Sequence, residues 1–540
     1  MFARSRTLKL LAATSAMAVL SACAASTEVQ QAVAERHAED AARPALAPAA
    51  APQPGTTAID VVPSTKAPAT PSGATRSTTT SAAAAPAPAA VAAPAAPAAP
   101  RGTGTKKGKQ AAAPVVAPAP AAASAAAPAP SGGCAAAAPP GGNGGATDTG
   151  VNATTIKIGG TFFNGGYLDK YGKVSENAPR AYFDYINDNG GICGRKIDYS
   201  TCDTAGTADG TTGCLTKLAN QDQVFIMGPS LDFNLDIVEP TLAKDKLPWV
   251  GSSGLYSEEF ASPWMFPTQP SGQMVGALIT QYTATKLNAK KIGVSYLNDV
   301  AGPQCTQRAQ QVATANGASV VKTVSNTEIE TSLDSQVAAL KNAGVDAVEF
   351  CNDPVNTVKF IQAAQRVGWK PIFVGGFVLA DDVPKAAGSN GKGMYGFSFF
   401  NFYGSDDPGV KKYREITEYY YPQTFHHFYE QASYVGAEAI VAALRAVGPH
   451  LTREAFVKQM RSMTDFDSGL GLKLNFSNLS GDAVSGEMFQ ADDNLAWKPA
   501  SQRFGLGGGG KSGAVAAPAT AAVAPAAARN TAGRRRRRRP

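Results

Sequence analysis

Apolar and polar positions alternate in a strand–helix rhythm from Ile156 to Gly251. Ile156-Lys-Ile-Gly-Gly160 reads as a strand and Tyr171 to Asn187 as a helix. The central piece is Asn189-Gly-Gly-Ile-Cys-Gly-Arg-Lys-Ile-Asp-Tyr-Ser-Thr-Cys-Asp203. It holds a helix ending, a glycine turn, a short alternating strand, and a cysteine where that strand stops. A second helical run, Ala208 to Gln221, leads to a buried strand, Val224-Phe-Ile-Met227, and a loop, Gly228 to Asp232. This order predicts a doubly wound parallel sheet. Ligands of such sheets bind outside the carboxyl ends of the strands.

The rhythm starts again near Ser271. Helix Ser271–Leu287, strand Lys291–Leu297, helix Pro303–Ala315, strand Ser319–Thr323, helix Leu333–Asn342, strand Asp346–Phe350, helix Pro354–Val367 and strand Pro371–Gly375 follow one another. After Gly393 it changes. A strand, Met394–Phe400, precedes helices Asp407–Tyr420, Tyr429–Val447 and Arg453–Met460, and short strands near Gly471–Phe476 and Gly486–Gln490 finish the pattern.

Composition confines this pattern to Val151–Phe504. Residues 24–150 and 505–540 are dominated by Ala, Pro, Gly, Ser and Thr and cannot bury enough apolar surface to offset ordering entropy. Residues 1–22 read as a signal peptide: Arg4, Arg6 and Lys9 form a basic start, and Leu8–Leu20 is an apolar run too short to span a bilayer. The run ends Leu20-Ser-Ala-Cys23, which resembles the lipobox of bacterial lipoproteins. That resemblance implies cleavage before Cys23 and a diacylglycerol on its sulfur, whose two acyl chains give a stable anchor. Residues 23–150 then form an extended Ala/Pro tether. Arg534–Arg539 supply six of the seven net positive charges. In an exported chain this tail suits anionic cell-wall polymers or lipid head groups better than nucleic acid.

Seven cysteines stand at 23, 134, 193, 202, 214, 305 and 351. With Cys23 lipidated, an even number remains, which favours disulfides in an exported chain. Cys202 ends a strand and Cys214 lies on the next helix, so they can meet, closing a loop that contributes about 3 kcal/mol. Cys305 and Cys351 each follow a strand of the second run, and Cys134 is left for Cys193. No histidine lies near a cysteine, so no metal site is expected.

Between residues 154 and 500 the chain resembles type I periplasmic binding proteins of the leucine/isoleucine/valine-binding, ABC-transporter family. The resemblance is carried by Ile156-Lys-Ile-Gly159 with Tyr171-Gly172; Ile186-Asn-Asp-Asn-Gly-Gly-Ile-Cys-Gly-Arg195; Asp203; Phe225-Ile-Met-Gly-Pro229; Leu247-Pro-Trp-Val-Gly-Ser-Ser253; and Phe360-Ile-Gln-Ala-Ala-Gln-Arg-Val-Gly368. The lipobox and tether resemble those of actinobacterial binding proteins. The resemblance implies two Rossmann-like lobes, 151–267 plus 398–474 and 268–397 plus 475–504, joined by a three-strand hinge near Met265–Thr268, Phe397–Asn401 and Lys473–Asn475. A small ligand would close between them and pass to ABC permease and ATPase subunits at the outer face of the membrane.

Candidate ligand residues follow from strand ends and from the family pattern. In the first lobe they are Phe163, Tyr167 and Tyr171; Ser230, Leu231 and Asp232; and Ser252, Ser253, Gly254 and Tyr256. The last two loops hold a ligand carboxylate in the family. Asp232 departs from the usual serine, and would repel an anion, grip a cation, or cap the run from Leu235. In the second lobe they are Asp299, Asn352, Asp353 and Phe377, with Tyr429 and Gln431 beside the hinge. Ala301 replaces a usual aromatic, and Phe377 stands about where amino-acid-binding members keep a carboxylate. The expected ligand is therefore a carboxylate or amide with an apolar or aromatic body, not a simple branched-chain amino acid. Phe399, Phe400, Tyr403 and Tyr434 add aromatic mass around the hinge.

Nothing argues for catalysis or a cofactor. His37, His426, His427 and His450 have no nucleophile beside them, and Gly251-Ser-Ser-Gly254 is not a nucleophile elbow. Gly391–Gly396 spells G-x-G-x-x-G but precedes a strand instead of opening a helix. A rival reading is a ligand sensor or envelope-interaction protein on the same fold, without a permease. The lipid anchor is directly testable: Cys23→Ser is expected to shift the chain from the membrane fraction to the soluble fraction, and a variant that stays on the membrane would exclude the anchor.

Overall fold

The computed structural model describes residues 134, 136–422, 426–479 and 484–506; Cys23, the signal peptide, most of the tether and the arginine tail lie outside them. The first βα repeats run β1 (Thr155–Phe162), α1 (Asp169–Asp188), β2 (Lys196–Asp203), α2 (Ala208–Thr216), β3 (Ile226–Met227), α3 (Glu239–Asp245), β4 (Trp249–Val250), α4 (Ser257–Ala261) and β5 (Met265–Phe266). Their strands form one parallel sheet in the order β2-β1-β3-β4-β5. The second set runs α5 (Gly272–Thr285), β6 (Lys291–Leu297), α6 (Ala301–Ala315), β7 (Ser319–Asn326), α7 (Asp334–Asn342), β8 (Ala347–Cys351), α8 (Pro354–Arg366), β9 (Ile372–Gly375), α9 (Val383–Ala386) and β10 (Tyr395–Ser398). Here β10-β9-β8-β6-β7 are parallel, and an antiparallel edge is added by β13 (Ser485–Ala491), β14 (Trp497–Pro499) and β15 (Phe504–Gly505). The expected α/β architecture of two lobes with parallel sheets is what the chain forms.

Between these come α10 (Pro408–Tyr420), α11 (Phe428–Val447) and α12 (Arg453–Ser462), with α10 and α11 packed on α1. The chain thus passes between lobes three times, after β5, after β10 and before β13. Lys473–Leu474, expected in the third connection, instead pairs with Phe466–Asp467 as a small hairpin (β12 with β11). The buried apolar residues run without a break from one lobe to the other through Phe399, Phe400, Tyr403 and Phe428.

The glycine turn earns its sequence. Gly190, Gly191 and Gly194 have φ of 94°, 78° and 76°, and a Cβ on Gly191 would lie 2.0 Å from the Arg195 carbonyl oxygen. The turn delivers Arg195 to the interior, where it is fully buried. Its guanidinium donates to the carbonyls of Asn152 at 2.7 Å, Pro449 at 3.0 Å and Gly145 at 3.0 Å, and to that of Asn143. Residues 136–150, which composition groups with the tether, are therefore seated on the first lobe. Asn143 donates to Cys193 O and Ala153 O, and Asp148 accepts from Arg453 N at 2.7 Å. All three expected disulfides are present: Cys134–Cys193, Cys202–Cys214 and Cys305–Cys351. Among the described residues no helix is long and apolar enough to cross a membrane.

Arg195→Ala would leave four buried carbonyls short of a donor. It is expected to lower stability by about 3 kcal/mol, read as a fall in the urea midpoint at constant slope. An unchanged midpoint would show that water replaces the guanidinium.

Candidate functional site

Three loops of the cleft begin with exposed backbone donors, because the strand ends there and a helix starts. Such N–H groups require an acceptor. In the loop after β4 the acceptor is Glu259, one turn into α4. Ser253 Oγ donates to it at 3.0 Å, Gly254 N at 2.9 Å and Tyr256 N at 3.2 Å. The carboxylate is fully buried, and burial pushes its pKa up despite these bonds. In the second lobe Asp299 Oδ1 accepts from Gly302 N at 2.7 Å, in the first turn of α6. Asp353 caps α8, accepting from Asn356 N at 2.9 Å and Asn356 Nδ2 at 2.7 Å. Burial raises both; Asp299 is pushed up to about 6, and the charge of Asp353 adds to that shift.

Between the lobes lies a cavity with about 380 Å³ of empty space, counting its mouth. Its apolar wall is Phe233, Leu255, Leu297, Phe377 and Tyr429, together with the Cys305–Cys351 disulfide. The polar groups are Asp299, Asn352 and Asp353. A smaller recess shares Phe233 and is lined by Phe163, Tyr167 and Glu328. No Lys, Arg or His lines either space. The aromatic wall is continuous: Phe163–Phe233 centroids lie 4.5 Å apart and Phe233–Tyr429 6.4 Å.

Of the residues expected from sequence, Asp299, Asn352, Asp353, Phe377 and Tyr429 line the main cavity and Phe163 and Tyr167 the recess. The others have different tasks. Tyr171 donates to Asp382 of the opposite lobe at 3.2 Å. Ser230 Oγ accepts from Thr161 N at 3.1 Å, and Leu231 extends the sheet by a bridge to Phe162. Asp232 does not cap the turn at Leu235; it accepts from Asn234 N at 3.2 Å and from Thr211 Oγ1 at 2.9 Å. Ser252, Ser253, Gly254 and Tyr256 are buried around Glu259. Gln431 holds the hinge, donating to Asn401 O at 2.9 Å.

Ser253 Oγ, Gly254 N and Tyr256 N, expected to face a ligand, serve Glu259 instead, and the cavity lining is acidic without a basic residue. Phe233 and Glu328 were missed by the sequence reading. Phe233 is one position beyond the loop assigned to the site. Glu328 follows β7, which continues through Val324-Ser-Asn326, where polar side chains hid the strand.

Further contacts join the lobes. Lys170 pairs with Asp382, Tyr403 Oη donates to Asp381 Oδ1 at 2.9 Å, and Ser257 N donates to Gln304 Oε1 at 3.3 Å. His427 is buried, caps α11 through Nδ1, and burial pushes its pKa down to about 3, so it stays neutral.

Residues 155–490 match the sequence profile of the periplasmic binding protein family. The Leu/Ile/Val-binding protein homolog 7 of Brucella abortus (strain 2308) is 25% identical over 341 residues, 58% of this chain and 82% of that protein. Two solved structures share the fold. A fatty acid ABC transporter substrate-binding protein from Thermomonospora curvata aligns with TM-score 0.58 and 23% identity over 68% of this chain and 96% of its own. An ABC transporter solute-binding protein from R. palustris in complex with benzoate aligns with TM-score 0.58 and 17% identity over 66% and 99%.

Glu259→Ala would strand three buried donors. It is expected to cost about 3 kcal/mol of stability, measured by urea unfolding, with added formate restoring part of the loss. A variant as stable as the parent would remove Glu259 from its role as the loop's acceptor.

Proposed function

We propose, for a chain that belongs to the periplasmic binding protein family, that it captures a small solute between its lobes and delivers it to an ABC importer. It does so as a lipoprotein, anchored through Cys23 at the outer face of the cell membrane. The observation that carries this is the cavity between the lobes, walled by Phe233, Leu255 and Tyr429 from one side and by Leu297, Asp299 and Phe377 from the other. A ligand there touches both lobes only when they are together, so its binding energy favours the closed arrangement. The bonds across the cleft through Asp382, Asp381 and Gln304 support the same two-state reading.

The cavity's empty space of about 380 Å³ includes its open mouth. Its aromatic and aliphatic wall supports a compact apolar or aromatic body, a scale in keeping with the benzoate of the R. palustris neighbour. Phe377, where amino-acid-binding members keep a carboxylate, argues against a simple branched-chain amino acid. The polar lining supports a head that is not anionic, such as an amide.

Thermal-shift screening of the purified chain with amino acids, amides, amines and aromatic acids tests this. A ligand at a hundred times its Kd stabilises by about 2.7 kcal/mol. Asp382→Ala, which removes the partner of Lys170 and Tyr171, is expected to weaken the best hit several-fold by releasing the closed state. Failure of every compound to shift the midpoint would sink solute capture. An unchanged affinity in Asp382→Ala would take that clasp out of the bound state.

A further inference from the structure

Every set of cleft donors described above is already filled by a carboxylate of the chain: Glu259 for the loop after β4, Asp299 for α6 and Asp353 for α8. These acids are not equally compensated. Asp353 has both oxygens bonded to Asn356 and feels the Lys359 ammonium. Asp299 feels backbone donors and the like charge of Asp353, and its Oδ1 accepts from Gly302 N at 2.7 Å. It lines the cavity, none of whose lining residues is a Lys, Arg or His.

Phenol groups surround it. Tyr429 lines the cavity, is 3% exposed, and its hydroxyl has no hydrogen-bond partner among the described residues. The Tyr256 hydroxyl is buried without a partner, and Asp299 is the charge that acts on it most. The Tyr167 hydroxyl is likewise buried and unpartnered beside Asp353 and Glu328. Buried hydroxyls are rarely left so. Each can turn its oxygen to an N–H donor or to a positive centre. Phe233, Tyr429 and Phe377 present ring faces or edges to the same space, and aromatic walls attract organic cations.

We propose that the cleft, if it is the solute site argued above, takes an organic cation: an amine or quaternary ammonium head on a compact apolar or aromatic body. The head sits against Asp299 and the hydroxyl of Tyr429, and the body against Phe233, Leu255, Leu297 and Phe377. A metal ion is the poorer occupant, since among the described residues no three acidic, histidine or cysteine side chains converge to ligate one. The balance of charge decides the class. An anion would meet Asp299, Asp353 and Glu328 with its natural donors already taken, whereas a cation supplies the counter-charge that Asp299 lacks.

Titration gives a second readout. The titratable groups around Asp299 are Asp353, Glu328, Tyr167, Tyr256 and Tyr429, with the Lys359 ammonium behind them, acting on Asp353 and 6.0 Å from the Tyr167 ring centroid. The tyrosines are raised and stay neutral; Glu328 is raised by burial and by Asp353 and Asp299, and Asp353 by burial, against its hydrogen bonds to Asn356 and the Lys359 charge. All the acids therefore lose charge as pH falls, and cation binding weakens in that direction.

The experiment is calorimetry on the full chain with three probes of one shape: phenyltrimethylammonium or phenethylamine, phenylacetamide, and phenylacetate. The cation is expected to bind at least tenfold more tightly than phenylacetate. Asp299→Asn, which keeps the helix cap, is expected to weaken the cation about tenfold while leaving phenylacetamide and the thermal midpoint nearly unchanged. For the quaternary probe, which cannot itself titrate, affinity should fall between pH 7.5 and pH 5. Phenylacetate binding as well as the cation, or a cation affinity untouched by Asp299→Asn, overturns the cation class while solute capture stands. No binding of any probe, nor of any compound in the wider screen, overturns both.

Discussion

The structure depends on how backbone N–H groups at the cleft find acceptors. A parallel sheet sends each strand into a loop and then a helix, so its carboxyl edge gathers donors that no secondary structure satisfies. In a protein that holds an anion, the ligand completes those bonds. In this chain Glu259, Asp299 and Asp353 complete them instead. The loops are thereby fixed before any ligand arrives, and the cleft acquires negative charge that water cannot fully screen. Burial raises the pKa of all three acids, which measures how poorly that charge is solvated.

The opposite problem is solved by the opposite charge at the opposite edge. Where strands begin, carbonyls accumulate, and a buried arginine and a half-buried one collect them. Arg195 takes four, from residues as distant as Asn143 and Pro449. Arg453 takes those of Val224, Phe225 and Asp245 at 2.7–3.1 Å. Both guanidiniums bond to backbone carbonyls, and Arg453 also feels the charges of Asp148 and Asp245. Acids at one rim and arginines at the other tie segments remote in sequence, and that is how residues 136–150 come to be held despite having little apolar mass of their own.

The fold was legible because strand ends and helix starts in this chain are marked by composition. Ile156–Gly160, the glycine turn and Leu247–Ser253 announce themselves by alternation, by glycine with positive φ, or by a family pattern. The cleft was legible in part. Asp299, Asp353, Phe377 and Tyr429 could be placed because they follow strands or open a helix. What could not be read was which acceptor a donor would choose. Ser253 and Gly254 look the same in sequence whether they meet a ligand carboxylate or Glu259, and only the α4 turn, which brings Glu259 back to the loop, decides it. Residues 136–150 failed for a related reason. Composition reports the lack of apolar side chains, but their place is set by carbonyls, which every sequence has.

The disulfides fit a protein whose lobes move as rigid bodies. Cys202 lies near the carboxyl end of β2 and Cys351 at that of β8, so the bridges, to Cys214 in the last turn of α2 and to Cys305 in the first half of α6, each pin a helix to a strand end of its own lobe. Neither spans the hinge. Hinge motion needs the three connections to bend while the rims keep their shape, since a cavity built from both lobes is complementary to a ligand only if each half is preformed. The Cys305–Cys351 bridge also forms part of the cavity wall, where it holds the start of α6, and with it Asp299, against the end of β8 and Asp353. The spacing of the two acids is thus fixed covalently within one lobe, while the aromatic faces opposite them, Phe233 and Tyr429, arrive with the other. Charge comes from one side and apolar shape largely from the other, so a ligand needs both features to profit from closure.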